Sequence, residues 1–148
     1  MAFSIAQVTP WPWEQHHEVN RFVERLSDEL CRRGHRVVVV APSDSRELVR
    51  EGRQKVRAMP RDRDALFAEP GCAGLVAVGQ SLPFRRAGSV SLPLDVSRTL
   101  EDLLERVELD FVHVHEPFAP SASSAALRHS RALNVGTFHS TTERFVST

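Results

Sequence analysis

The spacing of apolar residues predicts alternating strands and helices in the first third of the chain. The apolar run at 3–9 ends at Pro10 and predicts a buried strand. An apolar stripe with helical spacing predicts a helix over 17–33, which ends at Gly34. Four consecutive valines within 36–41 are typical of a strand that is covered on both faces in a parallel sheet. Together these three segments predict a βαβ unit.

The pattern is weaker in the middle of the chain. Residues 43–64 are highly charged and only weakly periodic, and 56–59 within them is predicted as a short strand. A helical turn is expected at 64–69, a strand at 75–78, and a loop or loose hairpin at 83–93. No linker composition separates this region from its neighbours, so we treat it as part of the same domain.

Regular spacing returns in the last third of the chain. It predicts a helix over 96–107, a strand at 111–115, a helix over 121–133 and a strand at 135–138. The order is β-α-β on either side of an irregular middle. This order predicts one α/β domain over residues 1–148, a Rossmann-like open parallel sheet with helices on both faces.

Composition and charge exclude several classes of protein. Hydrophobic residues make up 41% of the chain and charged residues 26%, which is typical of a folded globular domain. Basic and acidic residues number 19 each, and this zero net charge argues against nucleic acid as a partner. The N-terminus lacks the pattern of a signal peptide, and the longest aliphatic run is too short to span a bilayer. Cys31 and Cys72 are not spaced as a redox or zinc pair, so we expect a cytoplasmic protein.

Polar and aromatic clusters follow three of the predicted strands. In open α/β sheets, ligands bind beyond the carboxyl ends of the strands, so these clusters are the candidate site. The first cluster contains Trp11, Trp13, His16 and His17, and the two indoles either cover a ligand or a second domain or pack under their own loop. No glycine-rich dinucleotide fingerprint and no P-loop occur, which argues against nicotinamide cofactors and P-loop ATP chemistry.

The second and third clusters are rich in histidine. His113 and His115 share one face of their strand, and this spacing allows a metal pair, although no further ligands follow close by. The alternative is that His113 is hydrogen-bonded inside the domain, while His115 and Glu116 face a cleft. His139 precedes three hydroxyl residues, which either bind a sugar or phosphate or cap a helix.

A pair of arginines lies in the central loop. Arg85 and Arg86 can bind a phosphate with two parallel hydrogen bonds each, or they form an ordinary solvated surface. Paired arginines usually form a solvated surface, and the residues alone favour that interpretation.

Taken together, these segments resemble the N-terminal domain of family 4 glycosyltransferases, which are two-domain enzymes with the GT-B fold. The resemblance covers nearly the whole chain and is weakest between Asp44 and Pro70. In these segments the most similar members are bacterial mannosyltransferases that act on phosphatidylinositol, and we do not carry their acceptor over. The similarity is carried by residues 5–10, 30–37, 40–42, 110–117 and 136–140.

The resemblance implies a cleft between two Rossmann-like domains, in which the N-terminal domain mostly holds the acceptor. Transfer from the nucleotide-sugar donor would retain the anomeric configuration and need neither a cofactor nor a divalent metal. By position, His139 would be the catalytic residue that hydrogen-bonds the donor sugar. The other implied substrate-binding residues are Ser140 and Thr141 beside it, His115 and Glu116 along the cleft, and Phe84, Arg85, Arg86 and Ser89 in the acceptor loop.

One position departs from the family pattern. Family members often have Gly-Gly at the start of the first helix, where this chain has His17 and Glu18. A carboxylate beside a diphosphate is unfavourable unless it turns away. Either the loop therefore runs differently, or His16 and His17 contact the ligand through their side chains.

The resemblance also implies a second, donor-binding domain that this chain does not contain. We therefore expect the N-terminal part of a longer transferase, with little or no activity by itself. Its acceptor would be a lipid, a glycan or a small molecule, and contact with the inner face of the membrane stays open. Two alternatives are a non-catalytic module that binds an acceptor or a partner chain, and a metal-dependent hydrolase that uses His113 and His115.

Overall fold

The computed structural model describes residues 1–59, 64–69, 71–79, 81–84, 88–91, 93–119 and 122–139. Within these residues strands and helices alternate, except for three consecutive strands in the middle of the chain. They are β1 (Ser4–Val8), α1 (Glu18–Arg32), β2 (Arg36–Pro42), α2 (Arg46–Ala58), β3 (Gly74–Val78), β4 (Ser81–Phe84), β5 (Gly88–Ser91), α3 (Pro93–Arg106), β6 (Phe111–His115), α4 (Ala122–His129) and β7 (Leu133–Thr137).

Five of the strands form one parallel sheet in the order β3-β2-β1-β6-β7. β1 lies at the centre and pairs with β2 on one side and with β6 on the other. The chain leaves β1 toward β2, and it leaves β6 in the opposite direction toward β7. The predicted Rossmann-like parallel sheet is therefore confirmed, and its direction of winding reverses between β1 and β6.

Helices cover both faces of the sheet, as the valine-rich β2 predicts. The larger core lies between one face and α2, α3 and α4, and it is built from alternate residues of the strands such as Val8, Val38 and Val114. α1 covers the other face, where Val23 packs near Val39. Because the side chains of a strand alternate between its two faces, a strand buried on both sides needs consecutive apolar residues.

α1 begins and ends as its sequence predicts. His17 is its N-cap, and the Nδ1 atom of this residue accepts a hydrogen bond from Val19 N at 3.2 Å. Gly34 follows the last turn with a φ of +88°, a conformation that is costly for any residue with a Cβ atom. Within the described residues, each helix is either too short or too polar to cross a membrane.

The predicted strand at 56–59 is wrong, because these residues end α2 and its cap. Ser45 caps this helix by accepting a hydrogen bond from Leu48 N at 3.3 Å. Only Val49, Gly52 and Val56 of the helix are buried. A stripe this narrow leaves most positions to charged residues, and for that reason the segment shows little periodicity.

The remaining differences concern the ends of elements. α4 ends at His129, whereas the sequence predicts a helix to residue 133, and β7 begins at Leu133 instead of residue 135. Residues 64–69 form a turn in which Phe67 N donates to Asp64 O at 3.0 Å. The predicted hairpin in the middle of the chain is confirmed, because β4 and β5 pair as an antiparallel two-stranded sheet.

β7 lies at the edge of the sheet and is exposed. Its side chains Leu133 and Val135 are 68% and 43% exposed, in contrast to the fully buried valines of β2. This strand is therefore held mainly by its hydrogen bonds to β6.

α2 approaches β3 most closely at Gly52. A Cβ atom added there would lie 2.4 Å from the carbonyl oxygen of Ala77, which is a backbone atom of β3. We expect Gly52→Ala to lower the free energy of unfolding by about 1–3 kcal/mol, although alanine favours helix formation. Urea denaturation of the two proteins measures this difference.

The control is Gln54→Ala, an exposed position of the same helix, which should change stability by less than about 0.5 kcal/mol. A Gly52→Ala protein that is as stable as the wild type would contradict the close approach of α2 to β3.

Candidate functional site

The candidate site lies where the sheet reverses its winding, beyond the carboxyl ends of β1 and β6. The connections after these two strands leave in opposite directions and open a crevice between them. His115 ends β6, and His139 follows β7 beside it. The structure therefore brings together the second and third clusters of the sequence.

His115 is the buried centre of the site. Its side chain is fully buried, and its two ring nitrogens lie 2.8 Å from Gln7 Oε1 and 2.9 Å from His139 Nε2. Burial, with smaller contributions from the neighbouring His113 and His139, lowers the pKa of His115 to about 3. The imidazole is therefore neutral, and its Nδ1 lies within hydrogen-bond distance of the His139 ring.

His139 is the exposed member of this pair. Its backbone N–H donates to Glu116 Oε1 at 2.7 Å, and its ring stacks on His115 with a centroid distance of 5.2 Å. The ring of Phe22 meets both imidazoles edge-on, at 5.1 Å from His139 and 5.9 Å from His115. His139 is thus held by its backbone, by one ring nitrogen and by an aromatic neighbour.

Glu116 fixes the turn that follows β6. It is buried and has a φ of +52°, a left-handed conformation that costs a non-glycine residue about 1–2 kcal/mol. Its backbone N–H donates to Thr137 O at 2.9 Å, and its carbonyl accepts from Ala119 N at 3.0 Å. These bonds maintain the strained turn, and the turn places the carboxylate under the backbone of His139.

His113 lies deeper in the sheet and is hydrogen-bonded, as one of the two interpretations of the sequence predicts. Its Nε2 lies 2.7 Å from Thr137 Oγ1, and its ring centroid is 4.2 Å from that of His115. Burial, together with nearby His139, lowers the pKa of His113. Hydrogen bonds within the protein thus occupy Nε2 of His113 and both ring nitrogens of His115. The described residues contain no group of three His, Cys, Asp or Glu side chains that could hold a metal ion.

The loop after β1 reaches the same crevice. Burial lowers the pKa of His17, and the charges of Glu18, His139 and Glu116 also act on it. The ring of His17 stacks on Trp11 with a centroid distance of 4.1 Å. A neutral, stacked imidazole thus occupies a position where the family often has glycine, whereas His16 is exposed.

The two tryptophans of this loop pack beneath it. Trp11 and Trp13 are partly buried against the Val19, Val23 and Val39 cluster, so the second interpretation of the sequence is confirmed. Buried Asn20 organises the loop, since its Oδ1 accepts from Thr9 Oγ1 at 2.6 Å and its Nδ2 donates to Pro12 O at 2.9 Å.

Sequence reasoning missed three residues of this region, which are Gln7, Asn20 and Phe22. Gln7 is a polar residue inside an otherwise apolar segment, and this mismatch is the signal that marks it. Asn20 lies among the polar residues of an amphipathic helix, where nothing in the local sequence marks it. Phe22 belongs to the predicted apolar stripe of α1, yet it is 45% exposed and contacts the histidines. No pattern along the chain distinguishes it from the buried members of the stripe.

The structure does not test the remaining predicted site residues. Arg85, Arg86, Ser140 and Thr141 lie outside the described residues. Phe84 is the last residue of β4, and Ser89 lies in β5, where it pairs with Pro83. Their predicted role in acceptor binding therefore stays a prediction.

A second concavity lies at the opposite end of the strands. It has a volume of about 470 Å³, and its lining includes Cys31, Phe67 and Cys72. Burial raises the pKa of the Cys31 thiol, so this thiol is protonated and unreactive. Because ligands of parallel sheets bind at the carboxyl ends of the strands, we assign the site to the histidine crevice instead.

Fold and crevice together define a class, a Rossmann-like α/β domain whose ligand site lies at the reversal point of the sheet. The sequence model of Glycosyltransferase Family 4 matches residues 19–147, and the chain belongs to this family. The resemblance inferred from the sequence motifs is thereby confirmed, and the fold agrees with the N-terminal lobe of the GT-B architecture.

The chain is similar to named mannosyltransferases. It is 27% identical over 140 residues to the phosphatidyl-myo-inositol mannosyltransferase of Mycobacterium tuberculosis, which covers 95% of this chain and 32% of that protein. The enzyme of the same name from Mycobacterium leprae is 28% identical over 144 residues, with the same coverage. The chain thus spans about a third of the length of the curated relatives that it matches.

The neutral state of buried His115 makes stability depend on pH. Between about pH 6.5 and pH 3 the unfolded chain binds a proton at this residue and the folded chain does not, so stability falls as the pH falls. The loss is at most about 1.4 kcal/mol per pH unit for one group. We expect His115→Gln to reduce this slope, as measured by urea denaturation at several pH values.

Asn134→Ala, an exposed change in the adjacent strand, retains His115 and should keep the wild-type slope. His17 and His113 also contribute to the pH dependence of stability, and they do so equally in the wild type and in both variants. An unchanged slope in His115→Gln would show that His115 is protonated in the folded state.

Proposed function

We propose that this domain forms the acceptor-side wall of a glycosyltransferase cleft. The enzyme would transfer a hexosyl group from a nucleotide-sugar donor to an acceptor, with retention of the anomeric configuration and without a divalent metal. The observation that carries the proposal is the position of His139. It is exposed at the reversal point of the sheet, while His115 and Glu116 fix its ring and its backbone.

The chemistry of the crevice suits a sugar. Hydroxyl groups are recognised by hydrogen bonds of fixed direction, and a rigidly held imidazole provides one. The buried rings beside His139 have lowered pKa values and are neutral, so they add no charge that would favour an ionic ligand over a sugar. His139 would contact the donor sugar, with Ser140 and Thr141 beside it.

The acceptor would bind on the side of the β4–β5 hairpin. Phe84, Arg85, Arg86 and Ser89 are proposed for this role from the family resemblance, and His16 and His17 for contacts at the start of α1. The printed names of the relatives make phosphatidyl-myo-inositol the first acceptor to test. A cytoplasmic protein that meets the inner face of the membrane would be consistent with that acceptor.

We further propose that this chain needs a second lobe for activity. A diphosphate leaving group requires cationic side chains or helix N-termini that stabilise its charge. At the crevice, the described groups named above are imidazoles, the Glu116 carboxylate and the N-terminus of α1, and none of these side chains is a permanent cation. The relatives are about three times as long, which leaves room for a donor-binding lobe.

A transfer assay tests the proposal. The 148-residue chain would be assayed alone and joined to the C-terminal part of the Mycobacterium tuberculosis relative, with a nucleoside diphosphate mannose and phosphatidylinositol. We expect turnover only in the joined protein. His139→Ala should lower kcat about 100-fold or more, as is typical for the loss of one transition-state hydrogen bond.

His129→Ala is the matched control, because this histidine lies on α4 near Glu101 and outside the crevice. It should leave kcat within about twofold of the wild type, since it touches none of the reacting groups. Turnover by the isolated chain, or full activity of His139→Ala, would refute the proposal. A product with the inverted anomeric configuration would refute retention alone. A loss of turnover in the presence of a chelator would refute metal independence alone.

A further inference from the structure

Three side chains form a hydrogen-bonded series from the centre of the sheet to the crevice. Gln7 lies on β1, His115 ends β6, and His139 follows β7. Gln7 is 1% exposed and His115 is fully buried, whereas His139 is exposed. A buried amide on the central strand is thus connected to the imidazole that would meet a ligand.

The amide sets the direction of the first hydrogen bond. Gln7 Oε1 lies 2.8 Å from His115 Nε2, and an amide oxygen can only accept. His115 Nε2 must therefore carry a hydrogen. Because burial lowers the pKa of His115 to about 3, the ring is neutral, and its Nδ1 carries no hydrogen.

The second hydrogen bond follows from the first. His115 Nδ1 lies 2.9 Å from His139 Nε2, and a bare ring nitrogen can only accept. His139 Nε2 must therefore carry a hydrogen and donate it. In the neutral form of His139, the remaining nitrogen Nδ1 is then bare, and it has no hydrogen-bond partner among the described residues.

We infer that Gln7 and His115 are positioning residues that hold neutral His139 in its Nε2–H tautomer, so that Nδ1 accepts a hydrogen bond from a ligand hydroxyl. The identity of the ligand as a sugar rests on the proposed function. The direction of the hydrogen bonds rests only on the geometry of the three side chains.

This arrangement has a consequence for ligand choice. A bare Nδ1 binds a hydroxyl that donates, and it rejects an ether or a fluorine at the same place, because neither can donate. Phe22 contacts both rings and keeps them in one orientation. The buried Gln7 would thus determine which kind of group the exposed His139 accepts, although it touches no ligand itself.

The test is NMR spectroscopy of the ¹⁵N-labelled 148-residue chain at neutral pH. Long-range ¹H–¹⁵N correlation spectra distinguish a ring nitrogen that carries hydrogen from a bare one. In the wild type, we expect Nε2–H and bare Nδ1 for both His115 and His139. In Gln7→Met, the acceptor is replaced by a thioether, which is a weak acceptor in an unbranched chain of similar length.

Loss of the acceptor should release His115. We expect the Nδ1–H forms of both histidines to become populated in Gln7→Met, so that the two ¹⁵N shifts of His139 move toward each other. Thr137→Val is the matched control, because it removes the hydroxyl that bonds His113 and leaves the series from Gln7 to His139 intact. Its His139 spectrum should match the wild type.

Two results would overturn the inference. One is a wild-type His115 that carries its hydrogen on Nδ1, a measurement that does not depend on the folding of any variant. The other is a folded Gln7→Met protein whose tautomers are unchanged. Neither result bears on the transfer assay, and a failed transfer assay with the expected tautomers would refute the proposed function alone.

Discussion

The parallel pairing of β1 with both β2 and β6 is the constraint on which the rest of the structure depends. A strand in this position has neighbours on both edges and helices over both faces, so its residues are buried on every side. In this strand order the chain leaves β1 and β6 in opposite directions, and the separation of the two connections opens the crevice. The location of the site is therefore a property of strand order, before any side chain is considered.

Polar groups are placed inside this sheet at the cost of their hydration, and hydrogen bonds within the protein offset the cost. Gln7, His113 and His115 lie on the face that α1 covers, and each has a protein partner for at least one polar atom. Because His113 and His115 stay neutral, they bury no charge in the sheet. Fold and site are thus coupled, since the groups that orient His139 are also part of the packed interior.

How much of the fold and of the site the sequence predicts depends on how far apart in the chain the interacting residues lie. β1, α1, β2 and β6 have strong local patterns, and their prediction is confirmed. α2 was missed because its buried stripe consists of only Val49, Gly52 and Val56. The bond between Gln7 and His115 spans 108 positions, and no local pattern reports a contact of that kind. The crevice was predictable from topology, whereas the hydrogen-bonded series within it was not.

The exposure of β7 also determines how the sheet opens in solution. Local opening begins where few buried contacts support the backbone, and among the strands of the five-stranded sheet β7 has the fewest buried apolar side chains. Within this sheet, amide protons should therefore exchange fastest in β7 and slowest in β1 and β2. His139 lies two residues after β7, so its segment belongs to the part of the sheet that opens most readily. Gln7, which orients its ring through His115, lies on the protected central strand.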